Sequence, residues 1–273
     1  MVAFSLTLPL TRLAVPDMGG AFVGLGRAEV AALLALLVLL GRREKVPARR
    51  HWASLAIVAL GVVLGFPLLT SLALEHVPSV HGAVIVGLLP AATAVMAVVR
   101  GGERPGLAFW LACGAGVVAV LIFAAVQGAG RPQPADALLL GAVLLAGLGY
   151  AEGGRLSREL GGWRVICWAL LLAAPVLAIP TLVTATRVDW GGVGAGAWFG
   201  FAYVAAISAF LGFFAWYQGL ALGGIARVGQ IQLVQPVLTL VWAALFLGEH
   251  ISLGTALAAM LVVASAALSR WTR

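Results

Sequence analysis

The chain has 273 residues, 62% of them hydrophobic and 10% charged, with a net charge of +7. A soluble domain carries about 25% charged residues, so most of this surface is not built for water. The positive balance does not mark a nucleic-acid binder, because the basic residues lie in short loops between apolar runs rather than on one soluble face.

Apolar stretches of about 18 to 24 residues recur from end to end, each long enough to cross a hydrocarbon core about 30 Å thick as a helix. They are apolar on both faces, unlike the alternating strands of an outer-membrane barrel. The reading is an all-α polytopic protein whose partner is the lipid bilayer and whose helices direct their own insertion. Cys113 and Cys167 fall inside apolar runs and read as small buried hydrophobes. Neither a disulfide nor a metal site is expected. Four scattered His residues give no convergent nucleophile, base or metal cluster, so an enzyme is not expected. No Gly-rich phosphate loop is present to bind ATP, and no cofactor is implied.

In chain order, the first helix covers 2–15, short for a span, and is broken or thinned at Pro9; a start further upstream is the other reading. The second covers 21–40, with Arg27 and Glu29 in its first turns. That pair, two apart, does not share a face. Arg27 reads either as a side chain snorkelling to the interface or as an intramembrane charge facing a cavity. The loop 41–50 holds five basic residues. The third helix is 52–74, the fourth 79–99 with Pro90 near its middle, and the fifth 106–127. A Gly/Pro-rich linker, 128–136, marks the centre. The sixth helix is 136–152, the seventh 164–186, the eighth 195–218, the ninth 228–248 and the tenth 252–270. No carboxylate is expected in the middle of a span, which argues against a cation/proton antiporter built on such a group.

The chain repeats itself. Laying 90–119 over 236–265 matches Pro90 with Pro236, Thr93 with Thr239, and Gly102-Glu103 with Gly248-Glu249. Two repeats follow, 1–130 and 131–273, each of five helices. Short-loop Lys and Arg set orientation. With both termini cytoplasmic, thirteen of the seventeen basic residues lie inside. Five is odd, so the second repeat is inverted relative to the first, a plan that places a transport site at the midplane where the halves meet.

The Pro of the fourth and ninth helices, the Gly-Glu-Arg and Gly-Glu-His turns after them, Arg27 and the five-plus-five layout together resemble the EamA-type drug/metabolite transporters over nearly the whole chain. The resemblance implies a ten-helix exporter or facilitator of small metabolites in the inner membrane. Its amino-acid exporters set the expected substrate, a neutral or aromatic amino acid. A drug or organic-cation exporter on the same scaffold is the alternative.

The substrate itself needs polar groups facing a cavity. Gln230, Gln232 and Gln235 are the first candidates, since each amide offers donors and an acceptor. Interhelical hydrogen bonding is their other reading. Tyr203, Trp216, Tyr150 and Trp168 are candidate walls, with an interfacial belt as the alternative for Trp216. His81 is a candidate proton carrier or an interfacial residue. Pro9, Pro90 and Pro236 are candidate hinges. Glu152 and Arg155, three apart, read first as a surface ion pair and second as a gate. The sequence leaves monomer and homodimer both open.

Overall fold

The computed structural model describes residues 1–118 except 108, 112 and 116, residues 133–249, and positions 257 and 260. The predicted fifth and tenth helices fall largely outside these residues, as do His250 and most of the 128–136 linker.

Every regular element among the described residues is helical. Helix α1 comprises Val2–Ser5 and Thr7–Met18. Then follow α2 (Gly20–Gly41), α3 (Arg49–His76), α4 (Ser79–Val99), α5 (Pro134–Leu160), α6 (Gly162–Ala185), α7 (Ala195–Gly223) and α8 (Ile225–Leu247). These last seven are long and apolar enough to cross a membrane. The outside of the bundle agrees: Leu33, Leu37 and Leu40 on α2, and Val176, Ile179 and Leu182 on α6, are all more than half exposed. In water that surface would drive association; in lipid it is simply wetted. The protein is a multi-pass helical membrane protein.

The sixth predicted helix was expected to end near Glu152, ahead of Gly153-Gly154. Instead α5 runs on to Leu160. The two glycines are packing residues, not a stop. A Cβ on Gly153 would lie 2.3 Å from the Tyr217 ring, and one on Gly154 would lie 2.9 Å from Ile225. The mid-span expectation also needs correcting. Glu29 is the tenth residue of the 22-residue α2, close to half-way along it.

Backbone irregularities come in pairs. Helix α3 holds a π-helical stretch, Ala59–Gly65, and α7 holds another, Val204–Leu211. Helix α4 is interrupted at Gly87-Leu88, just before Pro90. Helix α8 tightens to 3-10 geometry over Gln230–Val234, just before Pro236. A proline ring crowds the carbonyl four residues back and offers it no N–H, which accounts for both sites. Pro9 acts in the same way: α1 breaks at Leu6, and the carbonyl of Ser5 accepts a hydrogen bond from Thr239 Oγ1 at 2.8 Å instead.

The matched Gly-Glu turns show why they share a sequence. Gly102 and Gly248 both take positive φ, +66° and +63°, a region open to glycine at little cost. Each turn then aims its glutamate at the other half. Glu103 accepts from the backbone N–H groups of Ile225 (2.6 Å) and Ala226 (2.8 Å), at the start of α8. Glu249 accepts from the N–H groups of Ser79 (3.1 Å) and Val80 (2.9 Å), at the start of α4. A carboxylate at a helix start satisfies orphan donors and opposes the positive end of the dipole. Helices α4 and α8 are thus tied to each other at both ends.

The face where α2, α4, α5 and α7 end carries most of the charge. Arg50 pairs with Glu159, Arg164 with Glu44, Arg158 with Glu103, and both Arg100 and Arg155 with Glu152. In the loop after α2, the guanidinium of Arg164 holds the Glu44 carboxyl below its ordinary pKa. Glu152 was expected at the surface, yet its side chain is fully buried.

Candidate functional site

Four stretches of irregular or interrupted backbone meet in the middle of the bundle. The α1 break brings Phe4 and Thr7. The two π-helical stretches bring Val62 and Ser208. The end of the 3-10 turn brings Gln235. Arg27 of α2, Phe66 and Pro67 of α3, Tyr150 of α5 and Phe213 of α7 complete the lining of one cavity. In a membrane, backbone departs from the α-helix where it is buried in protein or lines a cavity, and π-bulges gather at functional sites. The cavity is narrow in this conformation, about 10 Å³, or room for one water.

Its polar groups form a short chain. Arg27 Nη2 donates to Ser208 Oγ at 2.9 Å, and Ser208 Oγ lies 2.7 Å from Thr7 Oγ1. Arg27 is the eighth residue of α2, about 10 Å from the helix start at 1.5 Å per residue. It is 2% exposed, so the snorkelling alternative does not describe it. Its Nε and Nη1 are buried with no hydrogen-bond partner among the described residues. The remaining walls are apolar and aromatic.

The predicted residues separate into groups. Gln235 lines the cavity and its Nε2 donates to the carbonyl of Phe4 at 3.5 Å. Tyr150 lines it too. Trp216 stands behind that wall, edge-on to Tyr150 (5.4 Å) and Phe4 (6.2 Å), with its indole Nε1 buried and without a partner among the described residues. Gln232 instead sits where α8 crosses α4, donating to the Gly229 carbonyl (3.0 Å) and Thr93 Oγ1 (3.4 Å). Gln230 faces Cys113 Sγ at 3.4 Å. Tyr203 donates its hydroxyl to the carbonyl of Ala3 at 3.2 Å.

Two other candidates lie apart from the cavity lining. His81 Nε2 is 2.6 Å from Asp136 Oδ1 at the start of α5. Trp168 lines a groove of about 280 Å³ with Val46, Pro47 and Trp52, beside the loop after α2. Trp168 also borders a second groove of about 220 Å³, lined by Glu44, Lys45, Glu159 and Arg164.

Thr7, Ser208, Phe4 and Phe213 were not singled out by sequence. A lone Ser or Thr within an apolar run is common in membrane helices, where it bonds its own backbone. The signal that did exist was Arg27, a charge well inside a span.

The comparisons with known proteins agree with this architecture. A model of the EamA-like transporter family matches the chain twice, over residues 1–125 and 133–271. The chain is 47% identical over 251 residues to a Bacillus subtilis (strain 168) protein named "Uncharacterized transporter YdeK", covering 92% of this chain and 87% of that protein. A solved crystal structure shares the fold with a TM-score of 0.75 at 15% identity, covering 100% of this chain and 98% of that one.

Proposed function

The chain belongs to the EamA-like transporter family, and from that premise we propose that it moves small metabolites, neutral or aromatic amino acids first among them, across the plasma membrane by alternating access. One observation carries the reading: the interrupted or irregular stretches of four helices converge on a single aromatic-walled cavity with a polar centre. Such stretches are where a helix bends at least cost, so the walls can part to admit a solute larger than the present space.

Ten helices in two inverted five-helix repeats, divided near 130, are part of this proposal. The double family match supports the division. The paired π-helical stretches, the paired interruptions before Pro90 and Pro236 and the reciprocal glutamate caps support the repeat. The charged face is then cytoplasmic, as are both termini.

The test is uptake into proteoliposomes of labelled neutral amino acids, aromatic ones included, with and without a pH gradient. Saturable uptake without the gradient is the expected result and marks a facilitator. Uptake of no amino acid removes this substrate class. In the same assay Gln235→Ala is expected to lower uptake about tenfold at unchanged folded yield, as loss of a direct polar contact would. Gln232→Ala is expected to cost about 0.6 kcal/mol of stability, the usual size of an interhelical hydrogen bond in a membrane, and to leave uptake within about threefold.

The organic-cation alternative has one observation in its favour, the mid-span Glu29, whose Oε1 is buried without a partner among the described residues. The charge at the cavity is Arg27, which repels a cation. Uptake of tetraphenylphosphonium abolished by Glu29→Gln would establish the alternative.

A further inference from the structure

Among the described residues Arg27 is a buried cation with no anion beside it. A buried charge left unpaired is costly, and in a membrane span an ionisable residue has a partner or a function. The chain has ten Asp and Glu residues, and all ten lie among the described residues. Six of them pair with Arg or His: Glu44, Glu75, Glu103, Asp136, Glu152 and Glu159. Asp17, Asp189 and Glu249 accept from backbone N–H groups of Gly194, Gly191, and Ser79 and Val80. Glu29, two residues along α2, is turned about 200° around the helix and makes no ion pair with Arg27. No Asp or Glu side chain therefore pairs with this guanidinium among the described residues.

We propose that the missing partner is the substrate: Arg27 is the carboxylate anchor of the cavity, and the substrate is an organic acid with an apolar or aromatic body. Ser208 holds one end of the guanidinium through Nη2 and fixes its plane. Nε and Nη1 have no partner among the described residues, and Nη2 keeps a second N–H beyond the one given to Ser208, so one edge of the fork, Nη2 with Nε or Nη2 with Nη1, remains to donate. A guanidinium presents its donors as a rigid fork that matches the two oxygens of a carboxylate. Phe4, Phe66, Tyr150 and Phe213 supply the apolar surround, where water competes weakly for the pair. No acidic side chain lines the cavity, so an ammonium group on the substrate has only carbonyl, hydroxyl and amide oxygens to meet. The carboxylate, not the ammonium, carries recognition. This assignment rests on the transporter reading and narrows it.

The experiment compares four probes that share one phenyl ring: L-phenylalanine, 3-phenylpropanoate, L-phenylalaninamide and phenethylamine. Each is titrated calorimetrically into the purified full-length protein in detergent and then offered for uptake in proteoliposomes. The two carboxylates are expected to bind at least about tenfold more tightly than the amide and the amine, the scale of one charge-assisted contact. Arg27→Gln is expected to erase that difference, and Arg27→Lys to restore part of it. Equal binding of all four by the wild type, a carboxylate preference that survives Arg27→Gln, or no binding by either carboxylate overturns the assignment. If Arg27→Gln does not fold, the four-probe comparison on the wild type decides alone. Uptake that ignores the carboxylate leaves the transporter standing and removes the anchor. Uptake of 3-phenylpropanoate without phenylalanine keeps the anchor and removes the amino-acid reading.

Discussion

Removing Arg100 and Arg155 together lowers the stability of the bundle by about 3–5 kcal/mol, whereas Glu152→Gln costs about 1 kcal/mol. The asymmetry follows from burial. The side chain of Glu152 is 0% exposed, while those of Arg100 and Arg155 are 40% and 36% exposed. When the glutamate is neutralised, both arginines turn to water and lose little, as half-exposed cations do. When the arginines are removed, a carboxylate is left buried among helices with no cation, the situation in which breaking a buried pair is most costly. Arg155 also donates to Ser54 at 2.8 Å, so its loss strands a second polar atom. Adding Glu152→Gln to the double variant is expected to recover most of the loss. Reversible unfolding in mixed micelles of the four proteins closes the cycle. A Glu152→Gln cost equal to that of the double arginine variant would show that the buried charge is not what the arginines stabilise.

Gly61→Val separates α3 from α5 and lowers stability by about 1–3 kcal/mol or more, the range for overpacking. A Cβ at Gly61 would lie 2.5 Å from the carbonyl oxygen of Leu145 and 2.8 Å from the Cα of Gly149. Both are backbone atoms of α5, so no rotamer change relieves the clash and the helices must move apart. Small residues at such crossings let membrane helices approach closely. The neighbour of Gly61 is Val62, which lines the central cavity, so uptake is expected to fall with stability. Gly41→Ala is the control. It sits at the end of α2 with nothing within 4 Å of an added Cβ, and a change beyond about 0.5 kcal/mol there would undo the argument. A Gly61→Val protein that melts with the wild type would mean that α3 and α5 do not pack this closely.

These two cases differ in how far sequence reaches. The apolar runs, the prolines and the Gly-Glu turns were legible because each is local: span length, a missing N–H and a positive φ are written in consecutive residues. Gln235 was legible for the same reason, as an amide at the start of an apolar run. The partners were not. Glu152 and Arg155 read as a surface pair because nothing local shows that Arg100 closes over them from α4. His81 read as a candidate proton carrier or an interfacial residue, with no carboxylate beside it, because Asp136 lies 55 residues away. Ser208 and Thr7 meet across 201 residues, and neither hydroxyl stands out from the ordinary polar content of a membrane helix. The end of the sixth helix, set at 152, fell short for a related reason: α5 runs on to Leu160, and the role of Gly153, room for the Tyr217 ring, is tertiary.

The exchange of glutamates between Gly102-Glu103 and Gly248-Glu249 bears on how such a chain arises. Helix α8 takes its capping carboxylate from the turn after α4, and α4 takes its own from the turn after α8. A single five-helix unit standing alone would leave one helix start bare and one carboxylate idle. Two copies of one unit, set head to tail in the bilayer, would meet both needs with a single sequence. The covalent link then adds no contact the pair lacked. Under the proposed repeat it would fix the partners' ratio and free each copy to diverge, one carrying Arg27 and the other Gln235 of the same cavity.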